Sequence, residues 1–122
     1  MARGGMAGWV VEKGSGAVGF LVARRVLSDL EVLNFAVLPD SRRQGIGTEL
    51  LRAALEWGAS FHAESVILEV RASNAAALRF YERHNFRVTG RRPRYYAAPI
   101  EDALQLTCTL AQAYAGDTDA GR

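Results

Sequence analysis

At Gly45 the hydrophobic period of this chain changes from two to about 3.6, and that change dictates its fold class. Before it come three short strand patterns. Residues 9–12 (Trp-Val-Val-Glu) form the first, ended by the turn Lys13-Gly14-Ser15-Gly16. Residues 17–25 form the second, and after the polar break at Ser28-Asp29 residues 31–37 form the third. Tight turns make these a meander, and Pro39 stops it because proline cannot donate to a sheet ladder. After Gly45, Ile46, Leu50, Ala54, Trp57 and Phe61 fall on one helical stripe that Leu51 and Leu55 widen. Residues 65–70 are a nearly continuous apolar run, expected of a central strand covered on both faces. Ser73 or Asn74 then caps a helix over 75–84, with Leu78 and Tyr81 facing inward. A strand over 86–90, a loop over 92–99 with two prolines, and an alternating strand over 102–110 complete the order β-β-β-α-β-α-β-β. The expected class is α/β (α+β), a mixed central sheet with helices packed on it.

A chain of 122 residues is one domain, and a hydrophobic fraction of 49% with 23% charged residues is that of an ordinary globular protein. The domain is expected over 9–112, between a flexible N-terminal segment 1–8 and a disordered tail 113–122. No run approaches the roughly 20 apolar residues that cross a bilayer, and the Gly/Ala-rich start lacks a secretory apolar run, so no membrane is expected. A single cysteine, Cys108, suits a reducing compartment, and the cytoplasm is the expected location. The net charge is +2, with Lys13 the only lysine. That is too little positive charge for a nucleic-acid partner, but arginine forks suit phosphate groups. His62, His84 and Cys108 have no metal-ligand spacing, so no metal is expected; the histidines read as helix-end or surface residues and Cys108 as core.

The stretch Arg42-Arg43-Gln44-Gly45-Ile46-Gly47-Thr48 joins a strand to an amphipathic helix. Its glycines permit close approach of a ligand, and the first helical N–H groups have no helical partners. With the helix dipole and the Arg43 fork, this is a cradle for a pyrophosphate. The spacing alone is equally compatible with a plain strand-to-helix turn.

Arg42-x-x-Gly45-x-Gly47 resembles the signature of the GNAT superfamily of N-acetyltransferases. The run Leu68-Glu69-Val70-Arg71-Ala72-Ser73-Asn74-Ala75-Ala76-Ala77-Leu78-Arg79-Phe80-Tyr81-Glu82 is more specific. With Asn85-Phe86, Arg91-Arg92-Pro93-Arg94-Tyr95-Tyr96 and Glu101-Asp102-Ala103, it resembles the bacterial ribosomal-protein-alanine N-acetyltransferases, over about residues 17–110. The resemblance implies an acyl-CoA N-acyltransferase (GNAT) fold, acetyl-CoA as co-substrate, and a protein N-terminus, the alanine of a ribosomal protein, as acceptor. It implies that Phe35, Ala36 and Val37 form the splayed strand that receives the pantetheine arm. Arg43, Gln44, Gly45, Ile46, Gly47 and Thr48 would form the pyrophosphate loop, and Asn74 would contact the cofactor. Glu69 would be the general base and Tyr81 the general acid. Family members begin with a strand and two helices ahead of the segment matching Trp9, so by this resemblance the domain is N-terminally truncated. An uncovered apolar sheet face would follow, with a homodimer as one way of covering it.

Each of these residues also has a simpler reading. Glu69 could be a strand-end carboxylate paired with Arg71 or another arginine, Tyr81 a packing residue, and Asn74 a helix cap. Arg91, Arg92, Arg94, Tyr95 and Tyr96 read as a substrate-facing loop rather than a nucleic-acid patch. The alternatives to protein N-terminal acetylation are a module that binds CoA or a protein partner without turnover, and acetylation of a small-molecule amine.

Overall fold

The computed structural model describes residues 2–3, 5–14 and 16–116. Its strands are β1 (Ala2–Arg3), β2 (Met6–Lys13), β3 (Gly16–Val26), β4 (Asp29–Val37), β5 (Ser65–Arg71), β6 (Arg87–Ala97) and β7 (Ile100–Thr109). Its helices are α1 (Ile46–Ser60), α2 (Ala75–Arg83) and α3 (Leu110–Ala115). The seven strands form one mixed sheet in the order β1-β2-β3-β4-β5-β7-β6. The meander β2-β3-β4 is antiparallel, as its tight turns require. α1 carries the chain over to β5, which runs parallel to β4. After α2 the hairpin β6-β7 returns, and β7 takes the place beside β5.

The α1 stripe is buried as its period demands: Ile46, Leu50, Leu51, Ala54 and Leu55 are each 3% exposed or less. Beneath it lie Leu21, Ala23, Leu30 and Val66, all fully buried. Gly19 lets the helix approach, since a Cβ there would lie 3.0 Å from Ile46 Cγ2 and 3.2 Å from Leu50 Cδ1. Truncating any of these leucines to alanine is expected to cost about 2–5 kcal/mol.

The structure differs from the sequence expectations in four places. Met6–Gly8 are not a flexible segment: they pair with Arg24, Ala23 and Val22 as part of β2, and Ala7 is buried. Residues 92–97 are not a loop, because β6 runs on through Pro93 to Ala97. β6 is the sheet's edge, where proline is tolerated, and Pro93 falls in the register break between Arg92 and Tyr96. The chain after Thr109 turns into α3, nucleated by a capping box between Thr109 and Gln112 and anchored by buried Ala113. Residues 117–122 of the expected tail lie outside the described ones. Finally, β5 is central in the sheet but not covered by helices on both faces. Val66, Leu68 and Val70 join the one core that α1, α2 and α3 share, while Ile67, Glu69 and Arg71 alternate onto the other face. On that face Val10 stands opposite Phe20, and the two are 60% and 40% exposed.

Candidate active site

The parallel strands β4 and β5 are hydrogen-bonded only at their beginnings, Asp29–Glu31 against Ser65–Ile67. Beyond that β4 continues to Val37 and β5 to Arg71 with no pairing between them, so the sheet opens into a wedge. The opening begins at a β-bulge. Ala23 pairs with Val32 and Val22 with Asn34, leaving Leu33 as the extra residue that bends β4 away. Strand walls with no neighbour present unpaired backbone groups to whatever enters the wedge.

Some of the sequence-expected residues lie along this opening. Phe35, Ala36 and Val37 lie on the β4 wall past the bulge. The N-terminus of α1 sits at the wedge. A Cβ on Gly47 would lie 3.8 Å from Phe35 Cζ and 3.2 Å from Phe80 Cε1. Arg43 and Gly45 both have left-handed backbone, φ 65° and 80°, which turns the chain sharply into the helix. Glu49 N–H closes the first helical turn onto Gly45 O at 2.9 Å, so the N–H groups of Ile46 and Gly47 emerge from the helix end. The loop is braced by Arg42 Nε donating to Val37 O at 3.2 Å and by Lys13 Nζ donating to Gln44 Oε1 at 2.9 Å. Some of the loop's side chains face elsewhere: Ile46 is in the core, and Thr48 Oγ1 lies 3.4 Å from His84 Nε2. Ile46 can therefore offer a ligand only its backbone groups. Asn74 accepts a hydrogen bond from Ala77 N–H at 3.1 Å, which makes it the N-cap of α2.

Tyr81 is 6% exposed and clamped edge-to-face by Phe35, Phe80 and Phe86, with centroids 6.2, 5.4 and 5.3 Å away. Burial pushes its phenol far above the usual tyrosine value, so it stays protonated at physiological pH. Glu69 lies on β5 beyond the divergence, with its side chain 20% exposed. Its Oε2 is buried 2.5 Å from Arg92 Nε, an ion pair whose geometry is off the hydrogen-bond axis. The neighbouring Arg71 is engaged elsewhere. It donates to Pro99 O at 3.2 Å and Glu101 Oε2 at 3.4 Å, and lies 4.3 Å from the Tyr96 ring centroid. Glu101 Oε1 in turn accepts from Ser73 N–H at 2.5 Å, tying the β6-β7 hairpin to the loop that ends in Asn74. Through Arg92 the Arg91–Tyr96 segment borders the carboxylate, and burial, then the Glu69 charge, raise the Tyr96 phenol. Sequence reasoning left the arginine partner of Glu69 open, and it is Arg92; the aromatic clamp gave no signal in the sequence. His84 is the helix-end residue expected, the C-cap of α2, but it is not at the surface: it is 1% exposed and lies 4.7 Å from the Phe80 ring centroid. Cys108 is buried, its Sγ 3.6 Å from His84 O.

Among the described residues no three His, Cys, Asp or Glu side chains are grouped to hold a metal, and no helix is long and apolar enough to cross a membrane. The sequence profile of the acetyltransferase (GNAT) family matches residues 2–86. A protein of Bacillus subtilis with the provisional name [ribosomal protein bS18]-alanine N-acetyltransferase is 34% identical over 101 residues, 83% of this chain and 67% of that one. The [ribosomal protein bS18]-alanine N-acetyltransferase of Escherichia coli K12 is 39% identical over 94 residues, 75% of this chain and 64% of its own length. The chain thus spans about two thirds of the length of these relatives. The crystal structure of the Escherichia coli ribosomal-protein-S18-alanine N-acetyltransferase superposes with a TM-score of 0.78 at 30% identity, covering 89% of this chain and 72% of that one.

Proposed function

The chain belongs to the acetyltransferase (GNAT) family, and we propose that it transfers the acetyl group of acetyl-CoA to a primary amine, the N-terminal alanine of a ribosomal protein, in the cytoplasm. The observation that carries this reading is the wedge between β4 and β5, with the N-terminus of α1 and the Tyr81 phenol on the side of β4 and the Glu69 carboxylate on β5. The wedge fits an extended, amide-bearing arm lying along the unpaired edge of Phe35–Val37. The Arg43–Thr48 loop fits a pyrophosphate, with Ile46 and Gly47 offering backbone N–H groups and Arg43 its fork. Asn74, which caps α2, would also contact the arm.

An α-amine has a pKa near 7.7–8.0, so much of it is protonated at neutral pH and unable to attack. Glu69 takes that proton, directly or through water. The amine nitrogen then attacks the thioester carbonyl, whose oxygen accepts a hydrogen bond from Val37 N–H. The C–N bond forms, the C–S bond breaks, Tyr81 protonates the departing thiolate, and the surplus proton on the nitrogen passes through water to the Tyr81 phenolate. Holding both reactants in one opening and moving two protons supplies the acceleration, each transfer typically about 10² to 10⁴ in rate. The acceptor is supported by the names of the relatives at 34% and 39% identity. The Arg91–Tyr96 segment beside Glu69 is the surface it would meet.

Calorimetric titration with acetyl-CoA, followed by a thiol-release assay with an alanine-starting peptide, tests this. Binding with release is expected. Binding without release would leave a CoA-holding module, release only with small amines would move the acceptor class, and no binding would remove the pyrophosphate loop. The exposed face bearing Met6, Val10 and Phe20 is where a second copy of the chain would dock, and light scattering showing a monomer would overturn that.

A further inference from the structure

The geometry points to Arg92 as a positioning residue that acts through Glu69, an inference that rests on the reading of Glu69 as the base. Arg92 stands on β6 opposite Ala103 of β7, which itself stands opposite Arg71 of β5. To reach Glu69 its side chain spans β7, where the residue opposite Arg92 is the small Ala103. Arg71 is nearer to Glu69 in sequence and alternates onto the same face, but Glu101, Pro99 O and the Tyr96 ring hold it. Among the described residues, Arg92 is therefore the cation paired with Glu69. Its backbone is fixed from both sides by Asp102, which binds the Arg91 guanidinium and accepts from Arg94 N–H at 2.9 Å. The Tyr95 ring, with its centroid 5.6 Å from the Arg92 guanidinium carbon, steadies the side chain further.

The consequence is a carboxylate tethered by one oxygen. Oε2 is buried against Arg92, and Oε1 is left for the acceptor. A glutamate has three rotatable bonds, and misplacing a reacting group by about 1 Å can cost on the order of 10²-fold in rate. The Arg92 guanidinium limits Glu69 to one orientation. At 60% exposure its own side chain contributes little to the core, so its loss acts on the base and not on the fold.

Steady-state kinetics with acetyl-CoA and an alanine-starting peptide test this in four variants. Arg92→Gln should lower kcat roughly tenfold or more with the KM for acetyl-CoA unchanged, and Arg92→Lys should recover part of the loss. The double variant Glu69→Gln/Arg92→Gln should be no slower than Glu69→Gln alone, because Arg92 has nothing left to position. Wild-type kcat in Arg92→Gln beside a slow Glu69→Gln would overturn the role of Arg92 and leave the base standing. A double variant slowed by the product of the two single effects, or a loss seen only in the KM for acetyl-CoA, would overturn it too. A Glu69→Gln enzyme at the wild-type rate would remove the base itself, and the tether with it.

Discussion

Gly47 and Phe80 are packed so closely that a Cβ on the glycine would lie 3.2 Å from the ring's Cε1 and 3.4 Å from its Cζ. The ring has little room to yield, since Phe35 and Tyr81 hold it edge-to-face at 5.7 and 5.4 Å. The end of α1 that would cradle the pyrophosphate is thus seated on the aromatic cluster that fixes Tyr81. Gly47→Val should push both apart. We expect acetyl-CoA affinity to fall roughly tenfold and stability by about 1–3 kcal/mol, the usual cost of overpacking. Calorimetry and a thermal melt read the two effects separately.

Gly116, the residue after α3, lies against the backbone of His84, and a Cβ there would come within 2.6 Å of the His84 carbonyl carbon. Backbone cannot step aside as a flexible side chain can. Gly116→Ala should lower Tm by several degrees, corresponding to roughly 1–3 kcal/mol. A melt unchanged within error would mean that α3 moves away without cost.

Thr109→Ala removes the side chain that accepts from Gln112 N–H at 3.1 Å and so breaks the capping box of α3. A lost cap costs about 1 kcal/mol. Helical circular dichroism should fall slightly and hydrogen exchange should quicken over 110–115, while exchange in α1 stays slow. Uniform quickening through both helices would show that α3 is not an independent unit.

What the sequence made legible was whatever depends on local periodicity. The α1 stripe from Ile46 to Trp57, the meander ending at Pro39, and the glycines that open α1 all follow from spacing within one element. The α3 signal was also present, since Thr109 and Gln112 stand at capping-box spacing, but a six-residue helix has too few turns to register a period. Illegible were the features that need two elements at once. Nothing in β4 marks Leu33 as a bulge, because the bulge exists only against Val22 and Ala23. Glu69 has a plausible arginine two residues away, yet its partner comes from β6, across β7, because the hairpin inserts β7 between them. His84 reads as polar and terminal, and is buried because α1, α2 and α3 converge on it.

Acid should weaken the protein through the hairpin that borders the site. The Ser73 hydroxyl and N–H, and then Arg71, hold the Glu101 carboxyl below the usual glutamate value. Arg94 N–H and the Arg91 guanidinium do the same for Asp102. A carboxyl depressed in the folded state binds fewer protons there than in the unfolded chain, so its contribution is full above the unfolded pKa and disappears as pH falls through the folded one. Tm should therefore decline on acidification below the ordinary carboxylate range. Glu101→Gln should lower Tm at neutral pH and flatten that decline, until the variant and the wild type converge in acid. Parallel Tm curves for the two, separated equally at every pH, would show that Glu101 contributes packing but not charge. Because Ser73 and Arg71 connect the hairpin to the loop before Asn74, the same acid titration should also loosen the segment next to Glu69. Activity lost before global unfolding, with hydrogen exchange quickened over 71–74, would locate the first event there.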